Sequence, residues 1–548
     1  MPDFKVKTAS SGWVYPVDLR TKSASVLYRQ SFKLLASDPA DNEVFGASAA
    51  LSSDGNTAII GDYNEDSSGN TNNGAAYVFT RSGSTWTEQQ KLLASGATSD
   101  ELFGNSVCIS ADGNIVIVGS IAEDTSPNTN NGAAYVFTRS GSTWTQQQKL
   151  LASDAAGGDQ FGTSVSISSD GTTAIIGSYA ESTSPNTTNG AAYVFTRSGS
   201  TWTQQQKLTA SDAATNDLFG VSVYISADGT TAIVGSYAED TSPDTNNGAA
   251  YVFTLSAGTW TQQQKLLASD PATQDLFGHK VVLSSDGNTA LIGAYQEGTS
   301  PNTDNGAAYV FTRSGSTWTQ QQKLLASDAA DTDYFGYSVA LSLDGNTALI
   351  GAVQEDTSPN TYNGAAYVFT RSGSTWTQQQ KLLASDAAGA DNFGYSVALS
   401  SDGNTALIGA YQEDTSPNTT NGAAYIFELT DWSYVSAISV NNGGTWYVGY
   451  SPPPGAPTLT VSTVTNASGT TKTLSWTRPS SFFSITGYVV ESSTDGIFWT
   501  DLGHTGITRS AIASFVPAGT VSSAFLKYYR VAAETQYITG TYSNILNF

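Results

Sequence analysis

Along most of the chain, apolar and polar positions alternate in short runs and never recur at helical spacing. In "GTSVSIS" the apolar residues fall on every second position, and the run stops at the turn "SDGT". "TAIIGSY" follows, rich in β-branched residues, and then a polar loop, "AESTSPNTTNG", which carries Pro and Gly. "AAYVFT", the turn "RSGS" and "TWTQQQKLTA" complete the unit. Period-two runs bounded by Gly, Asn, Asp and Ser predict strands, and Asp-Gly between two of them predicts a two-residue hairpin. The unit reads as four antiparallel strands.

The same unit recurs without insertion or deletion. Phe-Gly begins at Phe45, Phe103, Phe161, Phe219, Phe277, Phe335 and Phe393, always 58 residues apart. Asp-Gly follows in register at Asp54, Asp112, Asp170, Asp228, Asp286, Asp344 and Asp402. A period of this length means a propeller, solenoid or array. The missing helical period excludes a helical solenoid, and a β-helix uses shorter rungs. Four-stranded units repeated radially make blades, and a ring of blades leaves few exposed edges. The expected fold is all-β, a seven-bladed β-propeller.

Closure supplies a separate argument. The Trp that opens the fourth strand stands at Trp86, Trp144, Trp202, Trp260, Trp318 and Trp376, and one period before Trp86 lies Tyr28. "SVLYRQSFKLLASD" thus matches a fourth strand that precedes the first Phe-Gly, while the last copy departs from the pattern after Phe427. The strand around Tyr28 is expected to complete the seventh blade. Seven periods run from Ala24 to Thr430, so the domain division is an attachment segment at 1–23, the propeller at 24–430, a joint at 431–455 and a second module at 456–548.

Bulk properties narrow the partners. The formal net charge is −24 and no Lys/Arg cluster occurs, so nucleic acid and anionic membranes are not expected partners. No apolar run reaches membrane-spanning length, and "MPDFKVKTASSGWVYPVDLR" has no apolar core of a secretory signal. The single cysteine, Cys108, lies in a strand-like run and reads as a small buried hydrophobe.

"FGYSVALSSDGNTALIGAYQEDTSPNTTNGAAYIF" resembles an FG-GAP repeat, the blade of the integrin α-subunit propeller and of many microbial surface proteins. The resemblance covers residues 24–430. Family repeats often hold calcium in a D-x-D-x-D-G loop between the first two strands. Here that loop is "SSDGNT" or "SADGTT", with one carboxylate where calcium wants six to eight oxygens, so no metal site is carried over.

Antiparallel order puts the Asp-Gly and "RSGS" turns on one face, with Arg81, Arg139, Arg197, Arg313 and Arg371. The long loops and the blade-to-blade connections share the other face. That face is acidic, with one ring at Glu65, Glu123, Glu181, Glu239, Glu297, Glu355 and Glu413. A second ring lies at Glu43, Glu101, Asp159, Asp217, Asp275, Asp333 and Asp391. Both rings are expected to cap turns through backbone N–H groups, with weak Ca2+ binding by paired rings as the alternative. The copies differ mainly on this face, and related propellers dock ligands there, so the copy-specific Asn64, Ile121, Asp304 and Tyr362 are the candidate ligand-binding residues. The repeated Trp, Phe and Tyr residues are expected to pack between blades.

Beyond the proline-rich "SPPPGAP", "TLSWTRPSSFFSITGYVVESSTDGIFWTDLG" and "KYYRVAAET" resemble a fibronectin type III domain. The matching features are Trp476, the run Ile485 to Glu491, Trp499 and the run Tyr528 to Ala533, with Tyr528 or Tyr529 as tyrosine corner. "ISVNNGGTWYVGYSPPPGAPT" and "SSGWVYPVDLR" resemble segments that recur in bacteriophage tail and fibre proteins.

Catalytic constellations are missing. The two histidines, His279 and His504, fall in different modules, and no P-loop or H-E-x-x-H occurs. Paired carboxylates on the acidic face could suggest a glycosidase, but sevenfold repetition reads as architecture, where one active site needs an asymmetric group. The resulting expectation is a non-enzymatic virion appendage that binds a host-surface glycan or protein and sits among other virion structural proteins, with homo-oligomerisation left open. A secreted or cell-surface bacterial adhesin and a purely structural virion component are the alternatives.

Overall fold

The computed structural model describes residues 27–429 in full, Ser68 excepted, and the backbone of Thr430 and of short strands on either side. Within 27–430 every regular element is a strand, and the strands form seven four-stranded antiparallel sheets. In blade one the order is Ser48–Leu51, Thr57–Asp62, Ala75–Ser82 and Thr85–Leu92. Blade seven takes three strands from the end of the repeat array, Phe393–Leu399, Thr405–Ala410 and Ala423–Thr430, and its fourth is Leu27–Leu34 from the start. The first strands touch one another all the way round, the seventh against the first, so they line the axis. Their contact is concrete: Ser48 Oγ donates to the Gly104 carbonyl at 2.8 Å, and Ser396 Oγ to the Gly46 carbonyl at 2.7 Å. A closed ring of seven blades is a seven-bladed β-propeller.

The core lies between blades. Phe103 of blade two packs with Ile59, Ala76 and Val78 of blade one and with Tyr135 and Phe137 of its own blade. Its ring meets Tyr135 edge-on at 5.5 Å. An equivalent cluster fills the closing interface, where Leu407, Ala424 and Ile426 meet Phe45, Ala58 and Ile60. The glycine after each Phe is demanded by the same approach. Gly46 has φ +99°, and a Cβ there would lie 2.4 Å from the Ala423 carbonyl oxygen.

The Asp-Gly turns depart from the two-residue hairpin expected of them. The loop in blade one spans residues 52–56, and of Asp54 and Gly55 only Gly55 takes positive φ. Ser52 explains the difference: its Oγ donates to Asp54 at 2.6 Å and accepts the Thr57 N–H at 2.9 Å, closing a wider turn. Asp54 also accepts the Asn56 N–H at 3.0 Å, spending its carboxylate on the loop itself.

A conserved-length bulge gives the "TQQQK" segment its use. Register in blade two jumps between Val136 and Phe137, leaving Gln147 unpaired within its own sheet. The glutamines then reach the neighbouring blades. Gln206 holds the backbone of Trp260 through two bonds, Nε2 to the Trp260 carbonyl at 2.8 Å and the Trp260 N–H to Oε1 at 2.9 Å. Gln89 accepts from the Trp144 indole at 2.9 Å, and Gln146 accepts the Ser95 N–H at 2.9 Å. The same staple closes the ring, with Gln380 bonded twice to Tyr28 at 2.8 Å.

The remaining chain forms a separate compact unit, Met1–Leu27 with Thr430–Phe548. Val6–Thr8 pairs antiparallel with Gly12–Val14. One sheet joins Leu459–Asn466, Gly469–Trp476 and Ser510–Ala511, and another joins Thr500–Thr505, Ile485–Ser493, Tyr528–Thr535 and Thr539–Tyr542. The rest of the attachment segment 1–23, the joint 431–455, and the side chains of the second module, Trp476, Trp499, Tyr528 and Tyr529 among them, lie outside the described residues.

Candidate functional site: the aromatic mouth of the propeller

The two acidic rings do different work. The Glu65 ring was expected to cap turns, and instead each of its members binds the lysine of its own blade's fourth strand. Lys207 Nζ lies 2.7 Å from Glu181 and 2.7 Å from Asp154, and Lys323 lies 2.6 Å from Glu297. The long loop after the second strand carries each glutamate back to the lysine of the fourth strand, 26 residues away in sequence. Tyr193 completes the group by donating to Asp154 at 2.9 Å. Against the opposing pull of burial, Lys207 and Tyr193 hold Asp154 below the usual carboxylate range. Blade two has Gly96 where the others place this Asp, and there Tyr135 donates to Glu123 directly at 2.8 Å.

The second ring does cap turns. Asp217 accepts the Ala214 N–H at 2.6 Å and Asp275 the Ala272 N–H at 2.7 Å. Burial, only partly offset by those bonds and reinforced by the neighbouring Glu239 and Glu297, pushes Asp217 up to about 6 and Asp275 up to about 7. Among the described residues no group of three or more His, Cys, Asp or Glu side chains is placed to hold a metal ion. On the opposite face the arginines are engaged as well. Arg313 and Arg371 lie 5.5 Å from the rings of Trp318 and Trp376.

Sevenfold regularity fails most at the axis of the loop face. The residue after each Phe-Gly stands at the start of the innermost strand: Ala47, Asn105, Thr163, Val221, His279, Tyr337 and Tyr395. Beside it stands the residue after each second strand: Tyr63, Ile121, Tyr179, Tyr237, Tyr295, Val353 and Tyr411. From blade four round to blade one these positions join into a continuous aromatic arc. His279 meets Tyr295 at 4.5 Å, Tyr337 at 4.9 Å and Tyr237 at 5.8 Å. Tyr337 meets Tyr395 at 5.1 Å, and Tyr395 meets Tyr411 at 4.2 Å. Tyr334 joins through Tyr295 at 5.3 Å, and the hydroxyls of Tyr63 and Tyr337 interact with that of Tyr395. Every ring is half-buried, so the arc is both held in place and open to solvent. Blade two offers Asn105 and Ile121 instead, and blade three sets Thr163 beside Tyr179, which lies close enough to act on Tyr237.

The arc's ionisation is fixed by burial. Burial first, then neighbouring phenols, pushes Tyr295 and Tyr337 up to about 12, so their hydroxyls remain donors at ordinary pH. Burial, and then the charge of Lys280, presses His279 down to about 3, leaving a neutral imidazole. Its Nδ1 has no hydrogen-bond partner.

The four candidate residues divide around this mouth. Asp304 borders the arc, close enough for its charge to act on Tyr295. Ile121 occupies in blade two the position of Tyr63, and Asn64, next to Tyr63, donates to the Asn42 carbonyl at 3.4 Å. Tyr362 shares the repeat position of Asp304 in blade six, and both take positive φ at the tip of the long loop. At 48% exposure Tyr362 is the one large apolar side chain standing free among the described residues. Sequence reading missed the arc itself and Lys280. The signal was a single repeat position that varies through Ala, Asn, Thr, Val, His and Tyr while the Phe-Gly before it stays constant.

Blade count, closure and one differentiated face define a seven-bladed β-propeller with an axial mouth of mixed chemistry. The chain belongs to the FG-GAP repeat family, whose repeat matches residues 28–79, 86–137, 144–195, 202–253, 260–311, 318–369 and 376–427, more than half of its length. No curated protein matches the chain.

Proposed function

We propose that the protein is a non-enzymatic recognition module that binds a host-surface glycan or protein through the loop face of its propeller. The observation that carries this reading is the half-ring of aromatic side chains at the axial mouth, set in a scaffold otherwise repeated almost without change. Tyrosines give a rigid apolar surface with a hydroxyl at its tip, the combination that recognition surfaces favour. The repeated carboxylates are engaged by lysines and backbone, which supports binding over acid–base hydrolysis. The tail-like segments near residues 11–20 and 438–458, and the fibronectin-like pattern beyond residue 456, support display on a phage tail or fibre. A bacterial surface adhesin would use the same face.

Adsorption of the labelled full chain to a panel of bacterial cells tests the reading. Saturable binding is expected, retained in chelator, and lost in Tyr337→Ala and Tyr395→Ala but not in Thr163→Ala across the mouth. Alanine is the residue blade one carries at this position, Ala47, so both variants are compatible with the fold. Adsorption unaffected by the arc substitutions would sink the proposal.

A further inference from the structure

Within residues 27–430, seven of the eight lysines bind a glutamate of the acidic ring. Lys280 is the exception. It replaces the serine that the other blades carry at Ser48, Ser106, Ser164, Ser222, Ser338 and Ser396, and no carboxylate is paired with it. It stands half-buried on the innermost strand of blade five, two residues after Gly278, with its charge close enough to act on His279 of the arc. Burial lowers its pKa, the mark of an ammonium that has lost water and gained no counter-ion. An acidic chain of net charge −24 thus keeps an unpaired cation beside its one differentiated surface, with the unpartnered Nδ1 of His279 next to it.

We propose that the mouth takes a saccharide residue bearing a single carboxylate, with Lys280 as its counter-ion and the aromatic arc against its C–H face. The inference rests on the recognition reading above and names the ligand class. A desolvated ammonium is stabilised by an anion that brings hydrogen bonds with it. The rings around it call for an apolar face on the same ligand, and the tyrosine hydroxyls for acceptors, which a sugar supplies together. The exposed Asp66, Asp124, Asp240, Asp356 and Asp414 on the long loops around the mouth repel a densely charged polymer, which limits the ligand to an isolated carboxylate in an otherwise neutral glycan.

Calorimetric titration of the full chain with glucuronate-, galacturonate- and neuraminate-terminated oligosaccharides, each paired with its carboxyl-reduced form, tests this. At least one acidic member is expected to bind, roughly ten- to a hundredfold tighter than its reduced partner. Lys280→Ser should bring the acidic member down to the level of the reduced one. That variant restores the residue of the other six blades, so an unchanged or raised melting temperature is expected alongside. Equal affinity for acidic and reduced forms, or an acidic affinity untouched by Lys280→Ser, overturns the role of Lys280 and leaves glycan recognition standing. Binding to none of the pairs overturns the proposal. Loss or retention of cell adsorption in Tyr337→Ala then decides the broader reading separately.

Discussion

At the scale of single residues, the repeat serves as its own control, because each departure can be compared with six relatives in the same chain. Asp62 is the sharpest case outside the mouth. It ends the second strand of blade one, where the other blades carry Ser120, Ser178, Ser236, Ala294, Ala352 and Ala410. Fully buried, it accepts the Val44 N–H at 3.0 Å through one oxygen and has no partner for the other. Burial, partly offset by that bond and reinforced by Glu43 and Glu65, pushes it up to about 8 from an ordinary 3.8. A carboxyl with a raised folded pKa binds more protons folded than unfolded, so its stabilising contribution is lost as pH climbs from about 4 to about 8. Asp217 and Asp275 pull the same way over a narrower range, while the lowered Asp154 and its equivalents lose their contribution in acid. Thermal stability should therefore peak near pH 5 and fall toward pH 9. Asp62→Ser should flatten the alkaline side, with melting temperatures of the two proteins converging at pH 5. Parallel curves across that range would show that Asp62 is not the titrating group.

At the scale of elements, the blade edge explains a stretch whose chemistry the sequence hides. "TQQQK" alternates poorly and reads as a solvated strand, yet its glutamines clasp the next blade. The amide's partner lies 54 residues away and becomes visible only when two blades stand side by side. The lysine–glutamate pairs were hidden for the same reason, since nothing in a 26-residue spacing reveals a loop-to-strand contact. By contrast, strand number, turn positions and the closing strand were legible, because period-two patterning and a constant repeat length are local or self-referential signals. The aromatic mouth was half legible: variation at His279's position was visible, but its meaning depends on residues 58 apart meeting at an axis. The staple carries its own test. Gln206→Ala removes two bonds to the Trp260 backbone and should cost about 1–2 kcal/mol in denaturant unfolding. Gln379→Ala is the control. Its indole partner is replaced by Tyr28 across the closing interface, its amide reaches only the Thr377 carbonyl, and it is exposed, so a change within about 0.5 kcal/mol is expected.

At the scale of the whole molecule, six blades are continuous in sequence and the seventh is not. Blade seven is complete only when Leu27–Leu34 joins strands from the far end of the array, with 352 residues separating Tyr28 from Gln380. Closure buries the two outer blade faces that an open array would expose, which is the advantage a propeller holds over an open stack. The cost falls on the order of events. A pairing of such sequence separation carries a loop-closure penalty that local hairpins avoid, so it forms late, after each blade has already gained its own contacts. Interactions that form after the transition state act mainly on the unfolding rate. Tyr28 tests this directly. It is buried on the fourth strand of blade seven, in the cluster that packs blade seven on blade six, donates its hydroxyl to the Gly403 carbonyl, and takes the place that Trp260 holds within the array. Tyr28→Ala and Trp260→Ala each remove a large aromatic ring and should both cost about 3–5 kcal/mol at equilibrium. The kinetics should separate them. Tyr28→Ala is expected to speed unfolding in denaturant with little change in refolding rate, while Trp260→Ala also slows refolding because its blade assembles earlier. Stopped-flow tryptophan fluorescence reads both arms, and a slowed refolding arm in Tyr28→Ala would mean that the ring closes before its blades are built.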